Sequence, residues 1–151
     1  FEHASAGAIP TIAVGQSSVR VAVGFGWGVD SPVTGSSPLV LAEVMIDPDS
    51  PVPLTLALPE LAVVALGDDV RVNDESIASG QLAVLRTDIS TTLSGFGRAI
   101  VLGGEPVGKR NIWWNFVHSD PDRIEQAKSD WAAQRFPEVP DDHDPFVPLP
   151  A

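Results

Sequence analysis

Apolar and polar positions alternate through the first two thirds of the chain. Val19, Val21 and Val23 alternate with Ser18, Arg20 and Ala22, and Leu54, Leu56 and Leu58 alternate with Thr55 and Ala57. Val70 and Val72 flank Arg71. A period of two marks a strand with one buried face. The run Leu61-Ala-Val-Val-Ala-Leu66 is apolar on both parities, which predicts a strand covered on both sides. Turn-forming residues separate these runs at short intervals: 24–28, Asp47-Pro48-Asp49, Pro59-Glu60, Gly67-Asp68, Asn73-Asp74, Ser79-Gly80 and Gly103-Gly104. Many short strands with frequent turns predict an antiparallel sandwich or barrel.

The pattern changes after Gly104. The run Ile112-Trp-Trp-Asn-Phe-Val117 predicts a buried strand on which Trp113 and Trp114 point to opposite faces. Asp120 then suits a helix N-cap, Pro121 the first helical position and Asp122 the positive end of the dipole. Ile124, Ala127 and Trp131 recur at helical spacing, and Pro137 sets a limit, so a helix is expected over 121–135. Residues 137–151 carry five prolines and read as an extended tail pinned by Phe136, Phe146 and Leu149. No internal repeat or long linker divides the 151 residues, and one domain is expected over 1–151.

These periodicities predict a core of Val21, Val23, Val44, Val64, Leu66, Val70, Val72, Leu82, Val84, Ile100, Trp113, Phe116, Ile124 and Trp131. If Trp131 is fully buried, Trp131→Ala costs about 3–5 kcal/mol.

Composition narrows the function. Lys and Arg number 9 against 20 Asp and Glu, a net charge of −11. That balance argues against nucleic acid and against an anionic membrane surface as partners. Cysteine is absent, which removes disulfides, thiolate catalysis and Cys-ligated metal sites, and fits a cytoplasmic location. No apolar run approaches the roughly 20 residues of a membrane helix.

Candidate chemistry is sparse. His3, His118 and His143 show neither H-x-H nor H-x-x-x-H spacing, so a mononuclear metal site has little support. Asp141-Asp-His-Asp144 reads as a solvated acidic loop. The glycines of 24–28 and Gly95-Phe-Gly97 lack a Walker lysine and read as bulges or bends. Ser94 sits in no nucleophile elbow. Trp113 and Trp114 are the most unusual pair, with Asn115 expected as a buried polar group between Trp114 and Phe116. They either complete the core under the helix or dock against another domain.

Gly103-Gly-Glu-Pro106, Arg110-Asn-Ile-Trp-Trp-Asn-Phe-Val117, Arg123-Ile-Glu-Gln-Ala127, Asp130-Trp131, Arg135-Phe-Pro-Glu-Val-Pro140 and Phe146-Val-Pro-Leu-Pro150 carry a resemblance. The chain resembles the C-terminal domain of pirin-like proteins, most densely over 103–150. Ser31-Pro-Val33, Ser37-Pro-Leu39 and Gly80-Gln-Leu-Ala-Val-Leu85 extend the likeness upstream. The resemblance implies a cupin-type antiparallel β-barrel or jelly-roll-like sandwich with one C-terminal helix. It implies the C-terminal half of a bicupin about twice this length.

In such proteins the N-terminal cupin holds iron or another divalent metal through histidines and a glutamate, and some members are quercetin 2,3-dioxygenases. The C-terminal cupin generally has no metal. Here the stretch 54–64 has Glu60 as its lone acid and no histidine, so no metal ligand carries over. The resemblance therefore implies no catalytic, cofactor or metal residue in this chain. Its role would be a metal-free structural half that partners an N-terminal cupin half or another protein, or a homo-oligomer. Trp113, Trp114, Asn115 and Arg110 are the expected interdomain or partner surface. Two alternatives stand beside this: half of a quercetinase-like enzyme, or a small-molecule module whose pocket is lined by Leu61, Val63 and Leu66.

Overall fold

One strand of 13 residues ties the N-terminal part of the molecule together. The computed structural model describes residues 3–138, 140–141 and 146–150, and it divides into two compact units at Pro106/Val107. The first unit contains β1 (Thr11–Val14), β2 (Ser17–Gly26), β3 (Val29–Asp30), β4 (Leu39–Ile46), β5 (Val52–Pro53), β6 (Glu60–Ala65), β7 (Asp69–Val72), β8 (Glu75–Ile77), β9 (Leu82–Val84) and β10 (Thr92–Gly104). The main sheet runs β1-β2-β4-β10-β6-β9. The start of β10 pairs instead with β5 and β7, and β7 pairs with β8. These pairings are antiparallel, as the alternation predicts.

Strand β10 serves both layers because it bends at Gly95-Phe-Gly97. Phe96 is still opposite Asp69 of β7, and Gly97 is already opposite Ile46 of β4. Gly95 and Gly97 hold φ of 96° and 137°, which glycine alone adopts without strain. The expectation that these glycines mark a bend holds. Gly103 and Gly104 differ from expectation. They are not a turn but the end of β10, paired with Val40 and Leu61 and with Leu39 and Glu60.

The layers enclose aliphatic side chains: Val19 and Val21 of β2, Val40, Ala42, Val44 and Ile46 of β4, Leu61, Val63 and Ala65 of β6, and Ala99 and Val101 of β10. Val52, Leu54, Val70, Ile77 and Leu93 close the other side. The expected core is right at Val21, Val44, Val70 and Ile124. It is wrong by one residue on three strands. On β6, Val64 faces outward and Leu66 just beyond it is 44% exposed. On β9, Leu82 and Val84 are exposed, and on β10 Ile100 lies between the buried Ala99 and Val101. A strand apolar on both parities leaves its facing to register, and register put the odd residues inside.

Val23 fails for a different reason. Val21 is opposite Ala42 and Val23 is opposite Leu41, so Ala22 is an extra residue. Such a bulge switches the parity beyond it. Leu54, Leu56 and Leu58 keep their alternation against the core, but the ladder stops at Pro53 and they form no strand. Val72 is half-buried.

The second unit holds β11 (Asn111–Trp113), β12 (Phe116–His118) and α1 (Pro121–Ala132). The expected single buried strand over 112–117 is instead a hairpin, with Trp113 opposite Phe116 and Trp114-Asn115 as its two-residue loop. Trp114 takes a φ of 51° there. Ile112 is 72% exposed and Val117 is also exposed. The helix starts as expected: the Asp120 carboxylate accepts from the Asp122 N–H, with Pro121 in the first position. It ends three residues early. Gln134 turns left-handed at φ 54°, its N–H bonds the Trp131 carbonyl, and the Arg135 N–H bonds that of Asp130. Those two bonds are a Schellman ending made without glycine. Ile124 is the buried helix residue. Trp113, Phe116 and Trp131 are half-buried rather than enclosed. No helix among the described residues is long and apolar enough to cross a membrane.

Candidate functional site

The interior of the first unit is the place where a cupin-type barrel would hold a metal, and its side chains do not suit one. Its buried residues are Val, Leu, Ile and Ala, with Ser17, Ser31 and Thr91 as the buried polar ones. Ser17 donates to the Ser50 carbonyl at 2.5 Å and accepts from the Asp47 N–H at 2.8 Å. Ser31 donates to the Ala22 carbonyl at 2.7 Å and accepts from the Val33 N–H at 3.1 Å. Among the described residues, no buried side-chain nitrogen or oxygen lacks a partner, and no three His, Cys, Asp or Glu converge. A divalent ion needs several imidazoles or carboxylates, and the enclosed positions offer alkyl groups. Glu60, the lone acid of the 54–64 stretch, is exposed at the start of β6.

Leu61 and Val63 lie in the aliphatic core, while Leu66 lies on the opposite parity and is largely exposed. The register separates the three. Clefts open elsewhere on this unit. One of about 480 Å³ is walled by Ile12, Val14, Phe25, Trp27, Leu56 and Leu58. Another, of about 530 Å³, is walled by Ile77, Leu82, Val84, Leu85, Arg86 and Ile89. Trp27 is fixed at the first by its indole N–H, which donates to the Pro53 carbonyl at 3.0 Å.

In the second unit the hairpin and helix assemble an aromatic cluster. Trp114 meets Trp131 edge-on at 5.2 Å and Phe116 edge-on at 5.8 Å. Trp113 stacks on Phe116 at 6.2 Å, and Phe116 stacks on Phe136 at 5.8 Å. Offset and edge-on contacts of this kind suit the ring quadrupoles. Lys128 lies 4.4 Å from the Trp113 ring centroid, a cation–π contact, and also pairs with Glu125 at 2.6 Å. The tail joins through Phe146, stacked on Trp131 at 5.5 Å, and the Val147 carbonyl, which accepts from the Trp131 indole at 2.8 Å. The two tryptophans therefore share one cluster instead of facing apart, because the hairpin loop falls directly after Trp113.

Asn115 is exposed in that loop, not buried between rings. Arg110 is exposed, and its guanidinium donates to the Lys109 carbonyl at 3.1 Å. Phe136 and Phe146, expected to pin the tail, do so by stacking on Phe116 and Trp131, while the single cluster that joins them to Trp113 and Trp114 was not expected. The signal that could have found it was the Trp-Asn pair as a two-residue loop.

His118 is exposed, and its Nδ1 accepts from the Asp120 N–H at 3.0 Å, so it stands at the helix entrance. His3 is exposed near the start of the chain. The Asp142-His143-Asp144 part of the acidic loop lies outside the described residues. The Arg135 guanidinium, helped by Gln126, holds the Asp130 carboxyl below the usual carboxylate range. Arg86 does the same for Asp88 through two bonds. Both pairs are exposed and have the character of surface ion pairs, not of a poised acid or base.

Comparison with known proteins matches this arrangement. The family described as the pirin C-terminal cupin domain matches residues 41–137. A pirin-like protein of Caulobacter vibrioides is 37% identical over 98% of this chain and 52% of its own length. A crystal structure of quercetin 2,3-dioxygenase from Acinetobacter baumannii superposes with a TM-score of 0.82. Its identity is 26%, over 95% of this chain and 50% of that one. A second such structure from the same organism gives 0.79 at 24% identity, covering 87% and 49%. The chain thus spans about half the length of these relatives.

Proposed function

The chain belongs to the pirin C-terminal cupin family, and on that premise we propose that it is a non-catalytic, metal-free domain acting as a structural or partner-binding half. The observation that carries this reading is the interior: among the described residues the enclosed side chains are aliphatic apart from the hydroxyls of Ser17, Ser31 and Thr91, and no three potential ligands converge. The partner is a metal-bearing cupin half, which the other half of the relatives' length has room to supply. A charge of −11 argues against nucleic acid and anionic membrane as partners. A cysteine-free sequence fits a cytoplasmic setting.

A second reading follows from the superposition on quercetin 2,3-dioxygenase. The chain would be the half of a metal-dependent dioxygenase of that kind that contributes no metal ligand. One experiment addresses both. Residues 1–151 and the product of the complete reading frame are each supplied with iron, oxygen and quercetin, and oxygen consumption is followed. Turnover by residues 1–151 alone contradicts a non-catalytic domain. Turnover only by a longer product supports the second reading, and turnover by neither leaves the structural role as the whole account.

A further inference from the structure

We infer that the outer face of the main sheet is the surface on which the other half of a pirin-like protein docks, an inference that rests on the partnered-half reading above. The register aligns one residue from each of five strands across that face: Val23, Leu41, Leu102, Ala62 and Val84. The next row is Arg20, Glu43, Ile100, Val64 and Leu82. A solvated antiparallel face alternates polar residues outward. Here the first row is wholly apolar and the second is apolar from β10 to β9.

Part of this face stands in water and the rest of it is half-buried. Val84 is 80% exposed, and Leu41, Leu82 and Met45 are each exposed by more than a third. Their apolar side chains are contiguous across five strands, and a contiguous exposed apolar patch marks an interaction site. A standard interface covers roughly 800 Å² on each partner. One border is polar: Arg98 pairs with Glu43, and Arg20 lies opposite Glu43. An apolar centre with a charged rim is the anatomy of a protein interface.

Length points to the occupant. The relatives match this chain over 52% and 50% of their own, so a segment of equal size remains in each. A partner of that size, presenting an apolar face, fits the patch. The hairpin is the weaker candidate, because its rings are already satisfied by one another and by the tail.

The test uses the absence of cysteine from this chain. Val84→Cys on the sheet and Ile112→Cys on the hairpin are placed separately at exposed positions. Each variant is made as residues 1–151 and from the complete reading frame. Maleimide labelling rates at the new thiols are read by peptide mass mapping. The expected result is at least tenfold slower labelling of Val84→Cys in the longer product, with Ile112→Cys unchanged. Slowing at Ile112→Cys alone overturns the inference and leaves the partnered-half reading intact. No slowing at either, or a reading frame that encodes no second half, overturns both. Slowing of Val84→Cys in residues 1–151 that grows with concentration assigns the face to a second copy and also overturns the inference.

Discussion

Ser31 donates its buried hydroxyl to the carbonyl of Ala22, the residue left over where Val21 faces Ala42 and Val23 faces Leu41. That bond gives the carbonyl of the bulged residue a side-chain partner. The same hydroxyl accepts from the Val33 N–H. Ser31→Ala leaves these groups unpaired in a half-buried place, at a cost of about 1–3 kcal/mol. Urea denaturation of the variant checks this, and an unchanged midpoint would mean that water replaces the hydroxyl.

Gly95 and Gly28 both have positive φ but differ in space. A Cβ at Gly95 would lie 1.9 Å from the Asp69 carbonyl oxygen, whereas one at Gly28 meets nothing within 4 Å. Gly28→Ala should therefore lose about 1–2 kcal/mol from backbone strain alone. Gly95→Ala must also push β7 from β10, and a loss of about 3 kcal/mol or more is expected. Thermal melts of the pair decide it: equal losses would show that the bend relaxes freely.

Trp131 anchors the tail by two means, ring stacking and an indole hydrogen bond. Because it is half-buried, Trp131→Ala is expected to cost about 2–3 kcal/mol, below the range for a fully enclosed ring. Trp131→Phe keeps the ring contacts and loses the bond, about 0.5–1.5 kcal/mol. Amide exchange through 111–136 in the two variants separates the contributions, and equal effects would assign the anchor to the hydrogen bond alone.

The Asp130 carboxyl is held below its ordinary range chiefly by Arg135, with Gln126 and Arg123 assisting. A carboxyl with a depressed folded-state pKa adds stability above its unfolded value, near pH 4, which is lost as pH falls through the folded value. The helix ending at 130–135 should thus loosen only below about pH 4. An NMR titration of the Arg135 amide from pH 6 to 2 is the check. In Asp130→Asn that acid transition should be absent, and its persistence would assign it to another group.

How far the fold could be read from the sequence depended on contrast. β7 and the helix start were legible because Arg71 and Asp120 differ sharply from their neighbours. Val63 against Val64, and Ala99 against Ile100, offered no contrast, so their facing waited on register. Ala22 gave no sign of a bulge, since its role comes from the mismatch with β4. The aromatic cluster was half legible: the ring types stood out, but a tryptophan at positive φ is too uncommon for a chain pattern to announce. The alternation of Leu54, Leu56 and Leu58 was legible, but the end of the ladder at Pro53 was not, since it depends on pairing with β10.

The most direct measurement is metal content. Residues 1–151 are incubated with iron(II), nickel or zinc, desalted, and assayed by inductively coupled plasma mass spectrometry. The expected result is metal far below one equivalent for each ion. Near-stoichiometric retention of any one would contradict a metal-free half and would require ligands that the enclosed aliphatic positions do not supply.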